Sequence, residues 1–545
     1  MSILSLYNLS WYHALGLLLV GVVSAAAVRT IRNVYLHPLS QFPGPWYLAA
    51  TSIPSAFISW RRMEPEWLLG LTKKYGTDKP IRIAENILLF PRPSALKDIY
   101  WDPAINTKME LYGTGTLGPP NLFSTRDGEV HRKLRKALGG THWSIGYLKN
   151  NLEYRVDDLI RLFETKMTEF AQREQVVELS DKVAEFAADI MAIVAFSEPW
   201  GFVKNSRDER RILESWRGGG STSSASRAAG GGSGATSWPT TGCPASSSRP
   251  ATRRAAWATC TRRPTSRSAS ARPRWPPRAR RTTWSGRIFC SIEDEGTNSC
   301  LDARYDSGAP LSPIVKRAHV TLLIQAGADT TATALSSTLR FLMVQDGGRV
   351  LAKARAEIEA AERAGQLSDP ITYEESRRHL PYFGACIKES LRLHPPAANL
   401  FGRITPTYSS ASPSSNKTGR SGRTVVAAQA KTIDGVLVPP GTEVSSFAYV
   451  LHRDPALYAP DPETYRPERW LECDDARAAE MEASQFVFGL GPRVCLGKEI
   501  AAMEMWKLLP QVVRRFDMEL VAKGKYIVAG GVAYNKGLEV RLTRR

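Results

Sequence analysis

The sequence predicts a mainly α-helical protein with a minor β region, an α+β fold in which helices do most of the packing. Three observations carry this. Apolar residues recur at helical spacing through 145–200, Pro313–Met343 and Glu499–Phe516. Strand-like alternation is confined to short runs such as Ile81–Phe90 and the stretch after Ile433. An uncharged run, Trp11–Val28, stands ahead of all of them.

That run (WYHALGLLLVGVVSAAAV) is near the length at which a helix crosses a bilayer, so residues 1–30 read as a transmembrane anchor. Arg29 and Arg32 follow at once, and the positive-inside rule then places the rest of the chain in the cytoplasm. A cleaved signal peptide is the alternative, but it would carry its basic flank on the other side. Residues 31–50 include His37–Pro45 (HPLSQFPGP), whose three prolines exclude a helix and predict a stiff hinge. Residues 51–545 are long enough for several average domains, and one large domain also fits.

Within it, Ile81–Phe90 reads as two strands about a turn at Glu85 and Asn86, and Pro93–Trp101 as a helix opened by proline. Asp127–Leu138 reads as a helix with His131 and Arg135 four residues apart on one face; solvated bases are the plain alternative. Val177–Phe196 is a further long helix.

Residues 217–286 break the pattern. They contain no Leu, Ile, Val, Phe, Tyr or Met, and thirteen Arg with no Lys, Asp or Glu. No core can form from such a composition, and disorder is expected. Gly, Ser, Ala, Thr, Pro and Arg are all encoded by GC-rich codons, which predicts a segment read out of frame. An Arg-rich arm binding nucleic acid is the alternative. The formal charge of +19 falls to +6 once these thirteen arginines are set aside, so the charge of the whole chain does not argue for a nucleic-acid partner. The seven cysteines, at 243, 260, 290, 300, 386, 473 and 495, show no metal-ligand spacing and are odd in number, which speaks against a disulfide scaffold.

In Pro313–Met343 the helical spacing runs through Ala326-Gly327-Ala328-Asp329-Thr330-Thr331, and so many small and polar residues in mid-helix predict a functional groove or a small-residue seam. In Lys388–Pro396 (KESLRLHPP), Glu389 and Arg392 share a helix face, and Arg403 follows in Leu-Phe-Gly-Arg, as a site residue or an exposed strand residue. Residues 407–431 read as a surface loop or a second fault in the reading frame, the segment Pro467–Trp470 (PERW) follows, and short strands finish the chain.

Phe488–Gly497 (FGLGPRVCLG) places Cys495 in a tight loop just before a helix, where backbone N–H groups and the helix dipole would lower a thiol pKa. Gly491 and Gly497 would let the chain turn and a flat ligand approach. A surface turn carrying a buried cysteine is the alternative.

The full pattern Phe-x-x-Gly-x-Arg-x-Cys-x-Gly, met here without departure, resembles the haem-binding loop of the cytochrome P450 superfamily. The resemblance implies the cytochrome P450 fold, haem b (iron protoporphyrin IX) as cofactor, Cys495 as the thiolate on its iron, and Phe488 and Gly491 at the haem. Arg493, Arg403, Arg135 and His131 would serve its propionates, with His131 standing where the family has Trp. Asp329 and Thr330 would deliver protons to the distal oxygen, with Gly327 leaving room for O2. Glu389, Arg392 and Arg469 would form a buried triad that fixes the cysteine loop. The activity implied is insertion of one oxygen atom of O2 into a lipophilic small molecule, in fungal secondary metabolism given the fungal look of the hinge. Relatives that rearrange peroxides lack the need for Asp329 and Thr330. No flavin or nicotinamide motif is present, so electrons would come from NADPH–cytochrome P450 reductase at the endoplasmic reticulum membrane. The out-of-frame stretch would replace the helices that roof the substrate cavity, and a non-catalytic or misfolded haem binder is the corresponding alternative.

Overall fold

The computed structural model describes residues 3–113, 120–214, 303–410, 425–427, 430–529 and 531–545. The arginine-rich stretch 217–286 and residues 411–424 of the expected loop lie outside the described residues. In chain order the principal elements are helix α1 (Ile3–Ile31), strands β1 (Ile81–Ala84) and β2 (Ile87–Leu89), helix α2 (Gly128–Leu138), strand β3 (Val176–Glu178), and helices α3 (Leu179–Phe196), α4 (Pro313–Val344) and α5 (Pro381–Leu393). Strands β4 (Arg403–Ile404) and β5 (Glu443–Ser445), helix α6 (Lys498–Arg515) and strands β6 (Phe516–Ala529) and β7 (Val532–Arg544) complete them.

Local chemistry starts the helices. Asp127 caps α2, its carboxylate accepting from the N–H groups of Glu129 (2.9 Å) and Val130 (2.8 Å). Ser312 caps α4 and Pro313 occupies its first turn, while Pro381 opens α5. Helix α4 is the central strut, packed on α3, α5, α6, β6 and β7. Phe186 and Ile190 of α3, Leu335 and Leu339 of α4, Ile387 of α5, and Leu508 and Leu509 of α6 share one core, each burial contributing about 1.5–3 kcal/mol.

A four-stranded sheet runs in the order β1-β2-β5-β4, with β2 and β5 parallel and the other pairs antiparallel. A second sheet has the order β6-β7-β3. Here the expectation of short final strands is corrected: β6 and β7 are 14 and 13 residues long. Val177 likewise belongs to β3 rather than to the helix, because Val177 pairs with Val540 of β7 and Glu178 accepts from the N–H groups of Gly537 and Leu538. Part of the expected loop 407–431 is a ribbon, with Tyr408–Ser410 pairing antiparallel to Val425–Ala427. In the hinge, Pro38–Gln41 make one 3-10 turn, since proline's fixed φ suits its first position.

Candidate functional site

Loop 488–497 is shaped by its glycines. Gly489 and Gly491 take φ of +67° and +68°, and a Cβ on Gly491 would collide with the Tyr100 carbonyl. The Cys495 N–H donates to Phe488 O at 2.8 Å and closes the loop; the Phe488 ring packs against the main core. Gly497 corrects the expectation of a glycine-only turn. Its φ is −86° and no atom lies where a Cβ would sit, so it leaves open space.

Cys495 presents accessible surface, yet burial is the largest influence on its thiol. Burial pushes the thiol pKa up, against the Gly497 N–H, Arg135 and Lys498, which pull it down. The depressed pKa expected from the helix dipole is therefore corrected for the unliganded thiol, whose conversion to thiolate calls for a cation at the sulfur.

Beside this loop is a cluster of buried cations. Arg493 donates from Nε to Asn106 Oδ1 (2.8 Å), from Nη1 to Thr125 O (2.8 Å) and from Nη2 to Asn106 O (3.0 Å) and Arg126 O (2.9 Å). Burial and the neighbouring Arg403 bring its pKa down to about 10. Arg403 is itself buried in β4, with Nη1 on Phe401 O (2.8 Å) and its guanidinium 5.0 Å from the Tyr100 ring centroid. Arg135 is half-buried and donates from Nη1 to Val494 O at 2.6 Å, so it braces the backbone next to Cys495. His131 is buried, and burial together with Arg493, Lys108, Arg135 and Arg403 brings its pKa to about 3. Lys108, which sequence reasoning missed, is buried among them.

Among the described residues, none of Lys108, Arg135, Arg403 and Arg493 forms an ion pair. Buried charge without a counter-charge is costly. A flat ligand with carboxylates on one edge and a metal within reach of Cys495 satisfies both the cations and the sulfur, so the residues present fit haem.

In α4 the Thr330 hydroxyl donates to Ala326 O at 2.6 Å, one of several four-residue back-bonds that also include Thr333 to Asp329 O (2.8 Å). The helix stays regular through them. Asp329 is buried and Thr330 half-buried. Gly327 corrects the expectation of a space for O2. A Cβ there would overlap the Met191 side chain of α3, so the missing side chain serves helix packing.

Glu389 is fully buried and gathers five donors: Arg392 Nε and Nη2 (both 2.8 Å), Arg469 Nε (2.9 Å), the Arg466 N–H (2.9 Å) and the Trp470 indole N–H (2.9 Å). Arg392 also reaches His452 O and Pro462 O. His452 in turn accepts the Phe486 N–H at 2.9 Å, two residues before the cysteine loop begins.

A fold of central helices with two small sheets, and an accessible cysteine beside cations that form no ion pair among the described residues, are what a haem-thiolate protein would show. Residues 279–409 and 422–527 match the family model "Cytochrome P450". The chain is 28% identical over 528 residues to cytochrome P450 monooxygenase gsfF of Penicillium aethiopicum, covering 94% of each chain. It is 27% identical over 500 residues to a cytochrome P450 monooxygenase of Aspergillus terreus (90% and 92% covered), and 26% identical over 527 residues to pisatin demethylase of Fusarium vanettenii (94% and 90%). The crystal structure of a cytochrome P450 superposes with a TM-score of 0.61 at 15% identity, covering 88% of this chain and 94% of that one, and so shares the fold. Over residues 279–409 and 422–527 the chain matches the cytochrome P450 superfamily, and the Penicillium and Aspergillus relatives it resembles are named cytochrome P450 monooxygenases.

Proposed function

We propose that the protein is a membrane-anchored monooxygenase of fungal secondary metabolism, which places one oxygen atom of O2 on a lipophilic small molecule using haem b and electrons from NADPH–cytochrome P450 reductase. One observation supports the reading: the accessible Cys495 stands beside buried cations that form no ion pair among the described residues. Cys495 would hold the iron, while Arg493 and Arg403 would hold the carboxylate edge. Arg135 acts at one remove by fixing the Val494 carbonyl, and His131, neutral above about pH 3, would be a neutral neighbour of that edge. Phe488 and Gly491 shape the loop. When bound, haem supplies the activation of O2. Thr330, its proton committed to Ala326 O, keeps lone pairs that can order a proton donor, and Asp329 would pass protons inward from the same helix.

Residues 1–30 would anchor the chain, 31–50 lead from the membrane and 51–545 form the catalytic domain, with 217–286 read out of frame where the substrate roof belongs. Support for membrane association comes from Trp11–Leu36, which contains an 18-residue stretch of mean hydropathy 2.0 with none of it buried. Exposed Trp46, Ile53, Phe57 and Trp60 follow it. Location in the endoplasmic reticulum membrane with the domain in the cytoplasm agrees with Arg29 and Arg32 at its end.

The test is a reduced carbon monoxide difference spectrum of the full chain, as written and with 217–286 restored to frame. The restored chain is expected to show the Soret band of thiolate ligation and its Cys495→Ala variant to lack it; an unchanged band in the variant overturns the reading.

A further inference from the structure

Helix α4 carries one histidine, His319, and the proposed function leaves it without a task. It is 5% exposed. Its Nδ1 stands 2.6 Å from Val315 O, and because a carbonyl only accepts, Nδ1 carries the hydrogen. Its Nε2 is then left with a lone pair, which accepts the Leu122 N–H at 2.9 Å. The neutral ring is spent at both nitrogens, once on its own helix and once on a segment 197 positions away in the chain. Leucine would fill this place beside Val315 without burying polar nitrogens. What the ring adds is an acceptor for a backbone N–H.

Leu122 belongs to a turn that is bonded to itself. Asn121 Oδ1 accepts from the N–H groups of Phe123 (3.0 Å) and Ser124 (2.9 Å), and Ser124 Oγ accepts the Asn121 N–H (3.0 Å). Asn121 O accepts the Thr125 hydroxyl at 2.6 Å and the Thr125 N–H at 2.9 Å. These bonds make Asn121–Thr125 a block that moves as one body. The block is fastened at both ends. Thr125 O and, one residue on, Arg126 O accept from Arg493 of the cysteine loop, at 2.8 and 2.9 Å. At the other end Leu122 shares an apolar cluster with Leu311 and Val315 and gives its N–H to His319. The block therefore spans from the Cys495 loop to α4, the helix that carries Asp329 and Thr330 about 15 Å further along. In the haem reading a substrate lies between that helix and Cys495, so a body tied to both is a side wall of its space.

We propose that His319 is a positioning residue: it latches the Asn121–Thr125 block onto α4, and a bulky ligand reaches the space beside Cys495 only when the bond to Leu122 opens. The latch stands on the observed bonds, and its consequence for ligand entry rests on the haem reading of Cys495. Arg493 keeps the block on the cysteine loop while the α4 end lifts, so opening leaves the turn's own bonds intact.

The test uses the frame-restored full chain. Hydrogen exchange at the Leu122 amide reads the latch directly. In His319→Phe, which keeps a ring and loses the acceptor, exchange is expected to run roughly fivefold faster than in the parent, the effect of one hydrogen bond. In His319→Gln, whose Oε1 can stand where Nε2 stood, it should stay near the parent. The amides of Ser124 and Thr125 should exchange at parental rates in both variants, because their acceptor is Asn121; a merely structural histidine would loosen the block and α4 together. With haem bound, association of phenylimidazole and of imidazole is followed by the Soret shift. His319→Phe should take the phenyl compound roughly fivefold faster, in step with the exchange, and imidazole at the parental rate. His319→Leu gives the same comparisons should the phenylalanine variant fail to accumulate. Equal Leu122 exchange in variant and parent overturns the latch, and an unchanged phenylimidazole rate overturns its role in entry, while the thiolate Soret band of the parent leaves the Cys495 reading standing. A parent chain without that band overturns that reading and the entry role with it.

Discussion

Trp470 illustrates how one side chain can alter a buried network. Burial pulls the Glu389 pKa up, yet Arg392 and Arg469 hold the carboxyl below its usual range, so it stays ionised and needs every donor around it. The indole N–H of Trp470 is one of five, and phenylalanine cannot replace it. Trp470→Phe is therefore expected to cost about 1–3 kcal/mol in denaturant unfolding, the price of one hydrogen bond to a charge. Removing the charge itself by Glu389→Ala should cost about 3–5 kcal/mol, because Arg392 and Arg469 would be stranded. His452 predicts a pH dependence. Its Nδ1 donates to Arg392 O (3.0 Å) and its Nε2 accepts from Phe486 N, so the neutral ring is satisfied at both nitrogens. Burial, with Arg392 and Arg453, brings its pKa to about 3. The unfolded chain then binds the extra proton first: this contribution to stability is complete above about pH 6.5, the ordinary histidine value, and is lost as pH falls toward 3. Thermal midpoints of His452→Gln measured from pH 7 to pH 4.5 should fall less steeply than those of the parent, and parallel curves would refute the assignment.

At the scale of elements, α3 and α4 meet at Gly327. Gly327→Ala should destabilise by about 1–3 kcal/mol through overlap with Met191, and Met191→Ala in the same chain should recover part of that loss. Additive effects in the double mutant would show that the two residues do not compete for space. The helices and the β1–β2 turn were legible because periodicity and prolines act locally: the helices read from Asp127 and from Pro313 begin at Gly128 and Pro313. The β3–β7 pairing was not legible, since Val177 is drawn out of a helical pattern by Val540, far along the chain. The same limit applied to the site. The Cys495 loop and the Glu389 group lie in short compact motifs, whereas Lys108 enters through a bridge to Arg403 that no local pattern announces. Gly327 was visible as an exception within a helix, but the residue it accommodates is on another element.

For the whole molecule, the stretch 217–286 bears on what the native chain is, and a segment read out of frame is the origin we propose for it. A roof over an apolar cavity needs Leu, Ile, Val and Phe at helical spacing, and none of these occurs there. Tryptic digestion of the protein isolated from its native host should therefore yield peptides from both flanks but none from within the interval, although its thirteen arginines offer many cleavage sites. Recovery of Gly218–Arg227 would overturn this. So would catalytic turnover, with a thiolate Soret band, in the chain as written, because a substrate cavity would then be closed by residues that have no apolar face to close it with.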